Sequence, residues 1–520
     1  MRMLLLSVVL LAVGAVPAAG ATCESLAALR LDNLTITATE AVAAGAFTPP
    51  IAPARAGGAG RVGGGAAPAA SPFADLPAFC RVTGTVRTSA DSTIRIEVWM
   101  PATGWNEKFL VTGYAFFGNA MNPAGLAGSL RSGYATATTD NGLPAGTSAQ
   151  SGSFMIGHPE RVTDWGERAW HETVVKAKAI IAAYYERPAR YSYFNGGGGA
   201  GRQGLKAIQR FPADFDGVVV GGVAADSTHF SLANLWAWQA ANQDEASRIP
   251  TAKLQPLHAA AVTACDALDG ARDGLIGDPE RCTFDPATLQ CPAGDMPGCL
   301  TAPQVAAVRK IYASPTHSRT GRRLFGPLMP GSELGWGGVI GTNPNGYATE
   351  FFRSFVFENP MWDPKTLNWD SDVERAERMP PVVNAVDPDI SAFVARGGKL
   401  IMWGGWADTA INPAAEVDYY ANVVQRLGAA RVTPAARLYM IPMMGHFLGG
   451  NGAHTYELDT QRLIEQWVER GMAPDAIAAQ HRANGMPDRT VRLCSYPQVA
   501  MYSGRGELND AASFTCRSPQ

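Results

Sequence analysis

Beyond its N-terminus the chain has no apolar run that approaches the length needed to span a bilayer. It has no excess of one charge either: 43 Lys and Arg stand against 46 Asp and Glu, for a net charge of −3. The two signs are mixed along the chain, which leaves no footprint for nucleic acid or an anionic membrane surface. There is no internal repeat, which sets aside solenoids and arrays. No pair of histidines has zinc-site spacing, and His171 and His229 read as structural or surface residues. Finally, no G-x-S-x-G occurs anywhere in the 520 residues, so a serine on a sharp strand-to-helix turn is missing.

What the chain does have begins with "MRMLLLSVVLLAVGAVPAAGA". One early Arg, an apolar run from Met3 to Val13 and small residues at Ala19, Gly20 and Ala21 read as a secretory signal peptide over residues 1–21. The expected location is therefore secreted or periplasmic. Export makes the eight cysteines legible as four disulfides. Proximity suggests 265–282, 291–299 and 494–516, which leaves 23–80, although eight cysteines allow ~105 connectivities. Residues 41–72 are rich in Ala, Gly and Pro, with almost no large side chains, and read as a flexible surface loop.

From about 80 to 226 strand and helix patterns alternate. "TIRIEVWMP" has period two, "KFLVTG" and "GYATATTDNG" are strands, and Ala169, Val174, Ala177, Ile181 and Tyr184 fall at helical spacing. Asp164 is placed to cap that helix and Pro188 to end it. Tyr191–Phe194 reads as a strand, Arg202–Gln209 as a helix and Val218–Val220 as a short buried strand. The rhythm breaks over 228–380, a loop-rich stretch with four cysteines. It returns with strands at 399–403 and 437–441 and a helix around "ELDTQRLIEQWVERG". This is an α/β core with a mostly parallel sheet, in two parts (22–227 and 381–520) separated by an inserted lid (228–380).

The turn "YFNGGGGAGRQGL" admits two readings. Gly196, Gly198 and Gly201 fit G-x-G-x-x-G after a strand, with Asp226 about 25 residues beyond, which is a dinucleotide fingerprint. Glycine-rich runs match many patterns by chance, and an exported protein has little access to nicotinamide cofactors. The other reading is a nucleophile elbow, whose acid and histidine partners follow in that order on loops after later strands. Asp408 in "WGGWAD" and His446 in "MGHFLGG" meet that requirement.

The ordered set "LPAFCRV", "IRIEVWMP", "WNEKFL", "RAWHETVVKAKAII", "YSYFNG", "GRQGLKAIQRFPADFDGVVVGG", "CDALDGARDGLIGDP", "WGGWAD" and "MGHFLGG" resembles the tannase and feruloyl esterase family from about Leu76 to Cys516. The resemblance implies an α/β-hydrolase fold with a large inserted lid, and serine esterase activity on esters of aromatic acids. The family elbow reads G-C-S-x-G-G-R-Q-G, and its histidine is followed by a second cysteine that pairs with the first. On that alignment the serine falls at Gly198 and the two cysteines at Gly197 and Phe447, so this chain lacks the nucleophile and both halves of that bridge. The four other disulfides of such proteins are kept. Gly113 and Gly199 stand where backbone N–H groups would form an oxyanion hole, and Tyr114 or Phe116 where side chains would intrude on the pocket. Asp408 and His446 remain able to act as an acid–base pair. Two readings stay open: a His/Asp enzyme with altered or weak ester chemistry, and a non-catalytic binder of an aromatic ester or acid. Neither implies an obligate protein partner.

"DALDGARDGLIGDPE", Asp266 to Glu280, is the best metal candidate. Asp269, Asp273, Gly274 and Glu280 take positions 1, 5, 6 and 12 of an EF-hand-like loop, and Ala271 spoils position 3. The resemblance implies a structural Ca²⁺ held by Asp266, Asp269 and Asp273 with the carbonyls of Ala271 and Leu275. The plain alternative is a solvated turn closed by a disulfide.

Overall fold

The computed structural model describes residues 21–49, 71–113, 117, 121–144, 147, 151–448, 454–483 and 485–518. The signal segment up to 20, the loop over 50–70, and Tyr114 and Phe116 lie outside the described residues. Among the described residues no helix is long and apolar enough to cross a membrane.

Nine strands form the main sheet: β1 (Leu34–Val42), β2 (Phe79–Val86), β3 (Ile94–Pro101), β4 (Lys108–Val111), β5 (Ala135–Thr139), β6 (Tyr191–Gly197), β7 (Gly217–Gly221), β8 (Lys399–Gly405) and β9 (Ala436–Ile441). Their order is β1-β2-β3-β5-β4-β6-β7-β8-β9. The run β5-β4-β6-β7-β8-β9 is parallel, and β1, β2 and β3 are antiparallel to their neighbours. With helices on both faces this is an α/β-hydrolase fold. Every residue of the central strand β7 (GVVVG) and of the edge strand β9 (ARLYMI) is buried, the pattern of parallel strands covered on both faces. All four disulfides pair as the spacing suggests: Cys23–Cys80, Cys265–Cys282, Cys291–Cys299 and Cys494–Cys516.

Three details differ from the sequence reading. Ala41 and Val42, expected in the loop, pair with Cys80 and Phe79 as the end of β1, because the Cys23–Cys80 bridge and β2 hold that edge. Asp164 is not a cap. The helical path already starts at Pro159 and passes through a wide turn at Asp164–Arg168 before Ala169–Tyr185, so Asp164 is interior and accepts no capping N–H. Its carboxylate instead takes the Arg168 Nε–H at 2.5 Å. Third, the C-terminal part adds a separate antiparallel sheet, β10 (His454–Glu457), β11 (Ala476–Ala483) and β12 (Met486–Cys494), and a ribbon of β13 (Val499–Tyr502) with β14 (Phe514–Arg517).

Between β7 and β8 the chain leaves the sheet. Helices such as Ser227–Asn242, Leu254–Cys265, Ala302–Ile311 and Ser371–Glu377 build this part, with an apolar core around Leu257, Val308 and Trp336, while Phe351, Phe352, Phe355 and Trp362 pack with Phe117 and Trp165 of the first part. Its residues Phe230, Asn345 and Tyr347 share a cavity with Gly198, after β6, and His446, after β9.

Candidate functional site

The elbow follows directly from the glycines. β6 ends at Gly197, and the helix Gly199–Arg210 starts two residues on. Gly198 between them has φ 60° and ψ −125°, a conformation that L side chains rarely adopt. It is locked in place: Gly198 N–H donates to Gly221 O at 2.8 Å, and Gly198 O accepts from Ala224 N–H and Arg202 N–H. Gly201 and Gly204 let the helix sit close on the sheet, since a Cβ at 204 would stand 2.7 Å from the Phe194 ring.

Asp408 and His446 arrive on the loops after β8 and β9. Asp408 is 2% exposed, and its Oδ1 accepts from Ala410 N–H and Ile411 N–H. Its Oδ2 accepts from His446 Nδ1–H at 2.8 Å, which turns Nε2 towards the elbow. A Cβ built on Gly198 would lie 3.4 Å from His446 Nε2. Gly222 makes room for the ring, because a Cβ there would come within 3.0 Å of His446 Nδ1. Beneath the pair lies Glu416, fully buried, whose Oε1 accepts from Val223 N–H. Burial, and then the neighbouring Asp408, push its carboxyl well above the usual carboxylate range, which favours its neutral form.

Gly197 and Phe447 also meet: a Cβ on Gly197 would lie 3.5 Å from the Phe447 ring, which in turn packs 3.9 Å, centroid to centroid, from the His446 imidazole. Of the two oxyanion candidates, Gly199 lines the cavity over the elbow. Gly113 packs against Ala200 and Gln203 at the start of the elbow helix and is not in the cavity wall. Asp226, the dinucleotide candidate, is occupied elsewhere. It caps the helix Ser227–Asn242 through His229 N–H and pairs with the His229 ring at 2.7 Å.

The cavity measures about 540 Å³ when the space open to solvent at its mouth is counted. Its wall joins Gly198, Gly199 and His446 to Trp165, Phe230, Ile411 and the lid residue Tyr347. Tyr347 stacks on Phe117 (4.7 Å) and Phe230 (5.2 Å). Neither Tyr347 nor Trp165 was legible as a site residue, since aromatics at such positions look like core. Arg202 is also in the wall, and its burial was equally hidden.

The acidic loop is folded as a compact turn. Asp266 and Asp269 are buried, and Asp266 Oδ1 accepts from Asp273 N–H and Gly274 N–H at 3.1 Å. Asp273 pairs with Arg489 at 3.2 Å. Ala271 and Leu275 are 2% and 4% exposed, and neither carbonyl takes a hydrogen bond among the described residues. Buried carboxylates beside bare buried carbonyls are a hard-oxygen donor set that fits Ca²⁺. Glu280 lies apart, accepting from Tyr496 O–H at 3.3 Å. A second cluster, His317, Asp370 and Glu374, brings three donor atoms within 4.8 Å, but Arg319 already occupies both carboxylates.

A family model for tannase and feruloyl esterase matches residues 80–517. The chain is 37% identical to an uncharacterized esterase of Xanthomonas campestris pv. campestris, over 96% of this chain and 91% of that protein. It is 31% identical to a probable feruloyl esterase B of Aspergillus clavatus, over 84% and 86%. Among solved structures, feruloyl esterase B from Aspergillus oryzae superposes with a TM-score of 0.81 at 28% identity, covering 95% of this chain and 99% of that one. Tannin acyl hydrolase from Aspergillus niger shares the fold, with a TM-score of 0.75 at 20% identity over 94% and 92%. The chain belongs to the tannase and feruloyl esterase family.

Proposed function

We propose that the protein binds an aromatic carboxylic ester or acid over Gly198, and that His446, oriented by Asp408, performs acid–base chemistry there without an acyl-serine intermediate. The observation that carries this reading is the open space opposite His446 Nε2, whose nearest potential side-chain atom at position 198 would be 3.4 Å away. A water held in that space can give its proton to Nε2 as its oxygen attacks the ester carbonyl. The oxyanion that forms is met by the Gly199 N–H at the start of a helix. Collapse breaks the bond to the alkoxy oxygen, which takes the proton back from Nε2, and acid and alcohol leave. Sites stripped of one triad member keep ~10³–10⁴-fold acceleration over water, so the activity is that of a slow esterase.

A second reading is a binding protein without turnover. It is supported by a cavity whose aromatic walls are complete although the nucleophile position carries only glycine. Calcium at Asp266, Asp269, Asp273 and the Ala271 and Leu275 carbonyls would brace the lid, neutralising carboxylates that are otherwise crowded together. The four disulfides support export to an oxidising compartment.

The test is turnover of a small panel of methyl and aryl esters of benzoic and cinnamic acids by the native protein beside His446→Ala. Activity abolished in the variant supports the acid–base reading. Activity equal in both proteins sinks it. No turnover in either, with ligand binding intact, moves the protein to the binding class.

A further inference from the structure

The cavity wall contains a buried cation with no carboxylate partner. Arg202 is 2% exposed and sits one turn into the elbow helix, where its side chain leans back towards Gly198. Its Nη1–H donates to Gly166 O at 3.0 Å and its Nη2–H to Trp165 O at 3.2 Å, and the guanidinium lies 4.0 Å over the Trp165 ring. Its Nε–H and the second hydrogen on each Nη have no acceptor among the described residues. Burial pulls its pKa down to about 10, which still leaves it charged at neutral pH.

Other shielded arginines of the chain are neutralised. Arg81 pairs with Glu97 at 2.6 Å, Arg168 with Asp164 at 2.5 Å and Arg437 with Asp475 at 2.7 Å. Buried charges are normally paired in this way, because an unpaired one forfeits its hydration. Lys206, one turn further along, is also buried on carbonyls, those of Pro381 and Asn384, but it faces away from the cavity and ties down the lid return. Arg202 alone among the described cations combines burial, no carboxylate and a place in this wall. The first N–H of the elbow helix, at Gly199, opens into the same space and adds its positive end.

We propose that the cavity selects an aromatic ligand bearing a carboxylate, with the ring among Trp165, Phe230 and Tyr347 and the carboxylate against the Arg202 guanidinium. The planar fork of Arg suits a carboxylate, and the low local dielectric strengthens the pair. This rests on the aromatic-ligand reading given above and narrows it to anions. A ligand of this kind supplies in direct contact the counter-charge that Glu167 provides only at a distance.

The experiment compares benzoate with benzamide, its neutral counterpart of the same shape, by calorimetric titration of the native protein at pH 7. Benzoate binds about 10-fold more tightly if the guanidinium is the anchor, as a charge-assisted hydrogen bond in place of a neutral one implies. Arg202→Gln abolishes that preference and Arg202→Lys keeps part of it. A merely structural Arg202 lowers the melting temperature in Arg202→Gln without changing the benzoate-to-benzamide ratio, and that result overturns the proposal. Where Arg202→Gln does not fold, a crystal structure of the native protein with 4-iodobenzoate decides: the carboxylate lies against Arg202, or the proposal fails. Equal binding of both probes leaves the aromatic reading standing and removes the anionic one. Binding of neither removes both.

Discussion

His446 Nε2 faces Gly198 across the 3.4 Å that separates it from the Cβ position of residue 198. That is ordinary contact distance, so a serine hydroxyl added there meets the imidazole without displacing it. Gly198→Ser is therefore expected to raise ester turnover by about 10²-fold or more, the scale on which a missing nucleophile depresses a triad. The variant also becomes labelled at residue 198 by a serine-directed phosphonate, read by mass spectrometry. Its φ of 60° makes it less stable than the native protein by about 1–3 kcal/mol. An unlabelled, inactive but folded variant would mean that the elbow is no longer competent.

Gly197 and Phe447 occupy facing positions, with the Phe447 ring 3.5 Å from where a side chain at 197 would start. The double variant Gly197→Cys, Phe447→Cys tests whether the two positions reach the Cβ separation of about 3.5–4.5 Å that a bridge needs, and a fifth disulfide under oxidising conditions is the expected outcome. Intact mass before and after thiol alkylation reads this directly. Two free thiols would show that the loops after β6 and β9 have moved apart.

His229 joins the lid to the core through Asp226 on one nitrogen and Glu377 on the other, at 2.7 and 2.9 Å. Arg322 also pairs with Glu377, at 2.7 Å. Burial on its own would lower the His229 pKa, but the two carboxylates outweigh it and raise it to about 9. A pKa raised from about 6.5 in the unfolded chain stabilises fully below that pH and ceases to do so as pH climbs through 9. Thermal melts should therefore lose more between pH 6 and pH 9.5 for the native protein than for His229→Asn. Parallel losses in the two proteins would assign the pH dependence elsewhere.

Chelation tests the acidic loop. If Ca²⁺ binds at about 100 times its dissociation constant, removing it costs about 2.7 kcal/mol and, for a chain of this size, lowers the melting temperature by about 2–3 °C. Asp269→Asn should start from the lower value and ignore both EDTA and added calcium. A native melting temperature indifferent to EDTA leaves only the solvated turn.

The elements most legible in the sequence were those with one dominant signal. β7, read as Val218–Val220, is a run of β-branched residues between glycines, and the elbow announces itself by its glycines. Asp408 and His446 were found because a loop after each of two apolar strands must carry them. β11 was missed because AIAAQHRA has little β propensity; it is a strand through pairing with β12 along its whole length. Arg202 and Tyr347 were missed for a different reason. A basic residue on a helix reads as exposed and an aromatic in an insertion reads as core, and only the packing of lid on sheet puts both in the cavity wall.

The lid's position in the chain also constrains how the protein is made. β7 and β8 pair residue for residue, Val219 opposite Ile401, yet the chain leaves the sheet at Gly221 and returns at Lys399. Contacts so remote in sequence carry a large loop-closure entropy and form late. Until they form, the buried edge of β7 is an unpaired template for other strands, the kind of surface that drives aggregation. During synthesis, the lid segment must emerge before that edge can be covered. The insertion that shapes the pocket is thus also the interval during which the half-built sheet is most exposed to misassembly.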